Sequence, residues 1–247
     1  MILRVIEKKI KQYARQFPII TITGPRQSGK TTLAKQCFPG KPYVSIENYD
    51  DRAFAQADPK GFLAQFPEGA ILDEVQHVPE LLSYIQTQSD QANKEGLFII
   101  TGSQQFKINA KISQSLAGRT AMVTLYPFCI KEAYDHVPDS DTVLYTGFYP
   151  RIFDKILNPT DMYRFYTNTY LEQDVRQLLA VKDLSTFNRF LKLCAGRTGQ
   201  LLNLSSFAND CDVSHNTIKQ WVSILEASYI IKLIYPYHRN HNKRVVK

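Results

Sequence analysis

The residues from Gly24 to Thr31 combine glycine, lysine and threonine at a spacing that suits phosphate binding. The pattern GxxxxGK[ST] is met at every defined position by Gly24-Pro25-Arg26-Gln27-Ser28-Gly29-Lys30-Thr31. Glycines let the backbone form a concave nest whose amides point at phosphate oxygens. We predict that Gly24 through Thr32 bind a nucleoside triphosphate, that Lys30 reaches its β- and γ-phosphates, and that the Thr31 hydroxyl ligates Mg²⁺. The alternative is a chance match in a glycine-containing turn.

Two adjacent carboxylates end an apolar run further along the chain, Gly69-Ala70-Ile71-Leu72-Asp73-Glu74. In this position Asp73 is predicted to hold the Mg²⁺, and Glu74 to polarise the attacking water as a general base. The alternative is that both acids cap the next helix, because carboxylates are favoured near helix N-termini. An acid at Glu74 favours hydrolysis over mere storage of the nucleotide.

Three further polar positions are candidates for the same chemistry. Thr101, Ser103 and Gln104 follow another apolar run, and we select Ser103 as the residue that contacts the γ-phosphate or the water. Arg119 precedes the last apolar run, where it would either act as a catalytic finger on a neighbouring subunit's nucleotide or form a structural ion pair. Arg26, inside the loop, would touch phosphate or face the solvent.

The elements that must position these residues are a parallel sheet and its crossover helices. Short apolar runs, as expected for strands buried on both faces, alternate with helical stretches. The clearest helix is Lys30 to Phe38, ended by Pro39-Gly40, and an amphipathic helix is expected within Met1 to Lys11. The predicted strands are Ile19 to Thr23, Tyr43 to Ile46, Ala70 to Leu72, Phe98 to Thr101 and Met122 to Leu125.

The last quarter of the chain predicts a winged helix-turn-helix. Leu204 to Glu226 would form two helices around a turn at Asp210-Cys211-Asp212, with Ser214 capping the second helix. Tyr229 to Tyr235 would be a strand and Pro236 to Lys243 the tip of the wing. The inward residues would be Leu204, Phe207, Ala208, Ile218, Trp221 and Leu225, and the exposed ones, able to read base edges, His215, Asn216, Lys219 and Gln220.

The distribution of charge makes duplex DNA a candidate partner of this module. The chain carries 30 Lys and Arg against 23 Asp and Glu, a net charge of +7. Residues 187–247 hold nine of these basic residues and three of the acidic ones, which gives +6. A basic face suits contact with a polyanion, so we predict DNA binding through residues 204–247. A merely solvated basic tail, or a face that packs on protein, is the alternative.

The cysteines and the apolar segments bear on location. Four cysteines lie far apart, with no metal-binding spacing, which indicates reduced thiols and a cytoplasmic protein. No apolar run is long enough to span a membrane, and no signal peptide is recognised, so no membrane association is expected.

Taken together, the motifs resemble the uncharacterised bacterial and archaeal ATPases of the AAA superfamily that carry a C-terminal domain of unknown function. The strings behind the resemblance are GPRQSGKTTL, AILDEVQHVPELL, FIITGSQQF, SLAGRTAMVTLYPF, GFYPRIF, TYLEQDVRQL, CAGRTGQLLNLSSFA and SYIIKLIYPYHRNHNKRVVK. The resemblance implies a sheet order of 5-1-4-3-2, a preference for ATP, and a nucleotide site made of Gly24 to Thr32, Asp73 and Glu74. Gln104-Gln105 depart from the serine or asparagine common in the family. Members continue past the KRVVK stretch into a nuclease-like segment, and nothing nuclease-like is expected here.

The expected organisation is therefore an α/β P-loop ATPase domain at 1–135, a helical connector at 136–186 and a winged-helix domain at 187–247. The first function is Mg²⁺-dependent ATP hydrolysis that drives a conformational change, on DNA or in a homo-oligomer. The alternative is a nucleotide-switched DNA-binding regulator with little turnover. A kinase ranks lower, because an arginine-rich lid is not evident. Guanine recognition is not supported, since Asn93-Lys94-Glu95-Gly96 matches NKxD only in its first two residues.

Overall fold

A parallel five-stranded sheet is the centre of the first of two compact units into which the chain divides, residues 1–174 and 175–247. The computed structural model describes residues 2–103, 115–170 and 184–237. The sheet order is β2-β3-β4-β1-β5, which is the order 5-1-4-3-2 read from the other edge, so that expectation is confirmed. The strands are β1 Ile19–Thr23, β2 Tyr43–Ser45, β3 Ile71–Asp73, β4 Phe98–Gly102 and β5 Thr120–Thr124.

Helices cover both faces of this sheet, because side chains alternate between faces along each strand. On one face, Ile20 and Ile22 of β1 pack with the helices α1 Glu7–Tyr13 and α2 Lys30–Cys37. On the other face, Ile19 and Phe98 pack with α3 Tyr49–Ala57, α4 Pro59–Ala64 and α5 Leu81–Ala92. The sheet is therefore a buried platform whose carboxyl edge carries the loops that were singled out in the sequence.

Several predicted boundaries shift where an element lies at an edge. The fifth strand begins at Thr120 and not at Met122, because an edge strand buries only alternate residues: Ala121 and Val123 are buried, whereas Met122 is exposed. An uninterrupted apolar run, the pattern used to predict the strands, does not mark the start of such a strand. At the N-terminus, the helix begins only at Glu7. Leu3 precedes this helix and is exposed.

The other elements described in the first unit are helices. The short helix Val75–His77 follows β3, and within the described residues four further helices come after β5. The predicted linker from Tyr134 to Thr142 joins two of them, and Asp139 caps the second by accepting a hydrogen bond from the Thr142 amide at 2.9 Å. These four helices are α6 Ile130–Ala133, α7 Ser140–Thr146, α8 Pro150–Lys155 and α9 Pro159–Tyr170.

In the second unit, α10 Leu184–Gly196 precedes the predicted helix pair, α11 Leu204–Cys211 and α12 His215–Ala227. Asp212 has a φ of 56°, the left-handed conformation that the tight turn requires. Ser214 caps α12 by accepting a hydrogen bond from the Thr217 amide at 3.1 Å. The two helices therefore form as predicted, but the turn begins at Asp212, because Asp210 and Cys211 still belong to α11. The buried residues of these helices include Phe207, Ile218, Trp221 and Leu225, and α10 contributes the buried residues Phe187 and Phe190.

The strand predicted at Tyr229 to Tyr235 is absent from the described residues, in which 231–237 form neither helix nor strand. Tyr229 has a φ of 61°, and the amides of Ile230 and Ile231 both donate to the Leu225 carbonyl. These bonds satisfy the Leu225 carbonyl in the last turn of α12 and turn the chain at the helix end, so no strand starts there. The predicted wing tip at residues 238–243 lies outside the described residues.

Candidate functional site

The phosphate-binding loop lies between β1 and α2, where its two glycines have conformations that other residues rarely adopt. Gly24 has a φ of 143°, and a Cβ there would lie 2.2 Å from the Leu125 carbonyl oxygen. Gly29 has a φ of 91° and occupies the N-cap of α2. A Cβ at Gly29 would meet nothing closer than 3.7 Å, so the space beside this backbone is open. Neighbouring backbone thus leaves no room for a side chain at Gly24, whereas Gly29 borders open space.

Lys30 is a buried cation at the first position of α2, with a relative exposure of only 5%. Its Nζ donates to the carbonyl oxygens of Gly24 and Pro25 at 3.1 and 2.8 Å. Burial lowers the pKa of Lys30 to about 8, although the negative charges of Glu74 and Asp73 act in the opposite direction. Among the described residues, no carboxylate forms an ion pair with this ammonium. An anion bound in the loop would supply that missing counter-charge.

Asp73 ends β3, and hydroxyl groups from three other elements converge on its carboxylate. Thr31 Oγ1 and the Tyr43 hydroxyl each donate to Oδ2 at 2.9 Å, and Thr101 Oγ1 donates to Oδ1. Burial, and then the hydrogen bond to Asp73, raise the pKa of Tyr43 to about 12. The carboxyl edge of the sheet therefore brings Thr31 and Asp73 together, as the sequence predicts. Tyr43 is a neighbour that the sequence analysis missed.

Glu74 follows Asp73 in a left-handed conformation, with a φ of 56°. This backbone conformation is uncommon for a residue with a Cβ, so the surrounding contacts must maintain it. The Glu74 amide donates to Thr101 Oγ1 at 3.3 Å. The side chain accepts two hydrogen bonds on the same oxygen, Oε2, from Ser103 Oγ at 3.2 Å and from Gln76 Nε2. Ser103 thus lies beside Glu74, and Gln76 is a second missed neighbour.

A cavity of about 630 Å³ opens over the loop and over Glu74. The loop and α2 contribute Arg26, Gln27, Gly29, Lys30, Thr31 and Thr32 to its lining. The opposite wall comes from the N-terminal segment and from the residues after β5, and it includes Ile2, Arg4, Phe128, Pro150, Arg151 and Asp154. Gly24, Pro25, Ser28, Asp73 and Ser103 are buried and do not line the cavity. The Ser28 hydroxyl is buried without a hydrogen-bond partner among the described residues.

Arg119 does not lie near the loop. It immediately precedes β5, so it lies at the N-terminal ends of the parallel strands. The phosphate-binding loop follows the carboxyl end of the neighbouring strand β1, at the opposite edge. The Arg119 guanidinium binds the Asp90 carboxylate through Nε and Nη2 at 2.6 and 3.0 Å. Arg119 therefore does not join the cavity of its own chain, and the ion pair is the arrangement that the structure contains.

The residues predicted to read DNA are exposed in the second unit. His215, Asn216, Lys219 and Gln220 all lie on the outer side of α12. Gln104 lies outside the described residues, as do two basic residues of the predicted wing tip, Arg239 and Lys243. The polar surface predicted on α12 is therefore exposed to solvent.

The structure also bears on the cysteines and on membrane-spanning helices. The four cysteines are free thiols. In the part of the chain that the structure describes, no helix is long and apolar enough to cross a membrane. The same part contains no group of three or more His, Cys, Asp or Glu side chains that could hold a metal ion.

Comparisons with known proteins match two stretches of the chain, and the boundary between these stretches differs from the boundary between the two compact units. Residues 16–134 match the AAA domain family, and residues 137–247 match a domain of unknown function (DUF8612). Uncharacterized proteins of Mycobacterium bovis and Mycobacterium tuberculosis are each 27% identical over 239 residues, which covers 96% of this chain and 54% of theirs. The chain thus spans about half the length of the curated relatives it matches.

A solved structure, the Walker-type ATPase of Pyrococcus abyssi, is 15% identical to this chain with a TM-score of 0.62. The match covers 92% of this chain and 90% of the other. At this level of identity the likeness concerns the fold.

Proposed function

We propose that this chain binds ATP with Mg²⁺ and hydrolyses it, because its residues 16–134 match the AAA domain family. The observation that carries the proposal is the convergence of Lys30, Thr31, Asp73 and Glu74 on one edge of the sheet. A buried ammonium, a hydroxyl-bound carboxylate and a second carboxylate facing a cavity form the set of groups that phosphoryl transfer to water requires.

The phosphate groups of ATP would bind at the loop. Lys30 would exchange part of its bonding to the Gly24 and Pro25 carbonyls for the phosphate oxygens, and the amides at the start of α2 would donate to them. Thr31 and Asp73 would hold Mg²⁺, because their hydroxyl and carboxylate oxygens are the hard ligands that this ion prefers and lie 2.9 Å apart. Bound there, Mg²⁺ would neutralise charge on the phosphates.

Glu74 would act as the general base for hydrolysis. Ser103 and Gln76 both donate to Oε2, which holds the carboxylate in one orientation and leaves Oε1 to accept a proton from water. The water oxygen would form a bond to the γ-phosphorus while the bond to the leaving oxygen of ADP breaks, so that the products are ADP and phosphate. Ser103 would orient the carboxylate or the water.

The test is the variant Glu74→Gln, which keeps the size of the side chain and its hydrogen bonds but removes the base. We expect ATP affinity to stay close to wild type while steady-state hydrolysis falls roughly 10²-fold or more. Glu95→Gln, at an exposed acid in the same unit, is the matched control and should hydrolyse ATP normally. Wild-type turnover in Glu74→Gln would remove Glu74 from the mechanism.

A second candidate function is a nucleotide-switched regulator that binds duplex DNA through residues 204–247 with little turnover. Its support is the exposed polar side of α12 together with the charge of +6 on residues 187–247. Coupling of hydrolysis to a conformational change, on DNA or in a homo-oligomer, belongs to the first candidate, and a cytoplasmic location belongs to both. ATPase activity measured with and without duplex DNA separates the two candidates: a regulator hydrolyses little ATP in either condition.

A further inference from the structure

We propose that Arg4 is a positioning residue that holds the phosphate-binding loop in the conformation that accepts ATP; the ATP-binding part of this inference rests on the proposed function. Arg4 lies before α1, at the wall of the cavity, and is 9% exposed. Its Nη1 donates to the Ser28 carbonyl at 2.9 Å, and its Nη2 donates to the Tyr126 and Pro127 carbonyls at 2.6 and 3.3 Å. One side chain therefore joins the loop to the segment that follows β5.

The guanidinium is itself anchored by a buried carboxylate. Arg4 Nε lies 3.2 Å from Glu132 Oε1, and both side chains are less than a tenth exposed. Glu132 also accepts the amides of Val5 at 2.7 Å and Cys129 at 3.0 Å. Burial alone would raise the pKa of Glu132, but these amides and the Arg4 charge outweigh it, and the pKa is lowered. The centroid of the Phe128 ring lies 4.8 Å from the Arg4 guanidinium carbon.

This anchoring fixes the orientation of one particular peptide unit. The Ser28 carbonyl and the Gly29 N–H belong to the same trans peptide, so they point in opposite directions. Because Arg4 binds the carbonyl on its own side, the Gly29 N–H is held on the opposite side of the peptide plane. Gly29 tolerates either sign of φ, so nothing in its own conformational preference prevents this peptide from rotating. If this peptide rotated, the Ser28 carbonyl would take the place of the Gly29 N–H, and its oxygen would repel a bound phosphate.

The contacts of Arg4 also predict which kinetic quantity changes. Arg4 contacts the loop, the segment 126–127 and Glu132, whereas none of its bonds reaches Asp73 or Glu74. A loosened loop therefore weakens the binding of ATP without removing the base. A residue that only stabilised the fold would alter the melting temperature and leave the affinity of the folded protein unchanged.

The experiment compares Arg4→Ala and Arg4→Lys with Arg15→Ala, an exposed arginine close to it in sequence. We expect the Kd for ATP to rise about tenfold or more in folded Arg4→Ala, since a lost charge-assisted hydrogen bond has an effect of this order, with kcat nearly unchanged. Arg4→Lys should rescue only part of the affinity, because an ammonium lacks the planar fork that spans these acceptors. Arg15→Ala should match wild type.

Amide hydrogen exchange of the nucleotide-free protein gives a second readout. We expect faster exchange across residues 24–30 in Arg4→Ala, and in Glu132→Gln if Arg4→Ala does not fold. Unchanged affinity with unchanged exchange in folded variants would overturn the inference. If the wild type binds no ATP, the proposed function fails, and the exchange measurement alone then decides whether Arg4 positions the loop.

Discussion

Polar residues are buried at the C-terminal ends of the sheet strands but exposed on the helix pair α11–α12. At the sheet edge, Lys30, Asp73 and Ser103 are buried and hydrogen-bonded to other parts of the site. On α12, polar residues such as Lys219 and Gln220 are exposed, and the interior is aromatic and aliphatic. Burying charge is costly unless something compensates for it, whereas exposing a polar side chain costs nothing. Buried polar clusters therefore carry more information about chemistry than exposed ones.

Two arginines show the same contrast within the first unit. Arg4 is buried and binds backbone carbonyls of separate segments, together with one carboxylate. Arg119 is partly exposed, and its partners are Asp90 and the nearby Ala117 carbonyl. The sequence motifs drew attention to Arg119, whereas the contacts of Arg4 link it directly to the phosphate-binding loop. Proximity to a motif in sequence is a weaker guide than the partners of the side chain.

The largest expected effect is that of Lys30→Ala on nucleotide binding. The variant removes the ammonium that has no carboxylate partner among the described residues, and each charge-assisted contact contributes about 1.5–3 kcal/mol. Loss of contacts to two phosphates should weaken ATP binding roughly 100-fold or more. Titration of a fluorescent ATP analogue measures this, with Lys60→Ala, an exposed lysine on α4, as the control. Unchanged affinity in a folded Lys30→Ala protein would remove the loop from the proposed site.

A smaller effect is expected on the side of α12. If residues 204–247 bind duplex DNA, affinity should fall steeply as salt rises, because each neutralised phosphate releases counterions. Lys219→Ala should make the slope of log affinity against log salt shallower by about one unit, and Gln220→Ala should change sequence preference instead. Fluorescence anisotropy with a labelled duplex at several salt concentrations measures both. Absence of binding at micromolar protein would assign this face to protein contact.

The acid stability of the first unit provides a third test, through Glu132. The pKa of this carboxyl is lowered in the folded protein, so its contribution to stability is present above its ordinary value of 4.5 and is lost as the pH falls through the folded pKa. Glu132→Gln should therefore lower the melting temperature at pH 7, and the difference from wild type should shrink towards pH 3. A constant difference at both pH values would contradict the assigned ion pair.

The sequence predicted the strands at the centre of the sheet better than the elements at its edges. Residues Ile19 to Thr23 are buried on both faces, and their apolar run is an unambiguous signal. At an edge, Met122 is exposed, and the run no longer marks where the strand begins. The strand predicted at Tyr229 to Tyr235 failed for a different reason. Left-handed Tyr229 ends the helix in a turn, and a β-like composition alone could not reveal that turn.

The candidate site was predictable as far as local motifs extend. The loop and the acids Asp73 and Glu74 follow patterns within single segments, whereas Arg4 and Tyr43 join the site only through the fold. Arg4 is separated from Tyr126 by 122 positions, so no spacing in the sequence relates them. The hydrogen bond that Glu74 accepts from Ser103 likewise depends on β3 and β4 lying side by side, whereas the one from Gln76 is local.

The smallest effect on the nucleotide site is expected from Arg119→Ala. Arg119 is paired with Asp90 at the edge of the sheet opposite the loop, so its removal should leave the Kd for ATP unchanged. The Asp90→Asn variant removes the same ion pair and retains the arginine, which makes it the matched control. If only Arg119→Ala loses turnover, and the turnover of the wild type rises with protein concentration, the arginine acts on a neighbouring subunit's nucleotide. Equal turnover in both variants and the wild type would leave Arg119 as a partner of Asp90 alone, because a trans-acting finger contributes 10³-fold or more to hydrolysis.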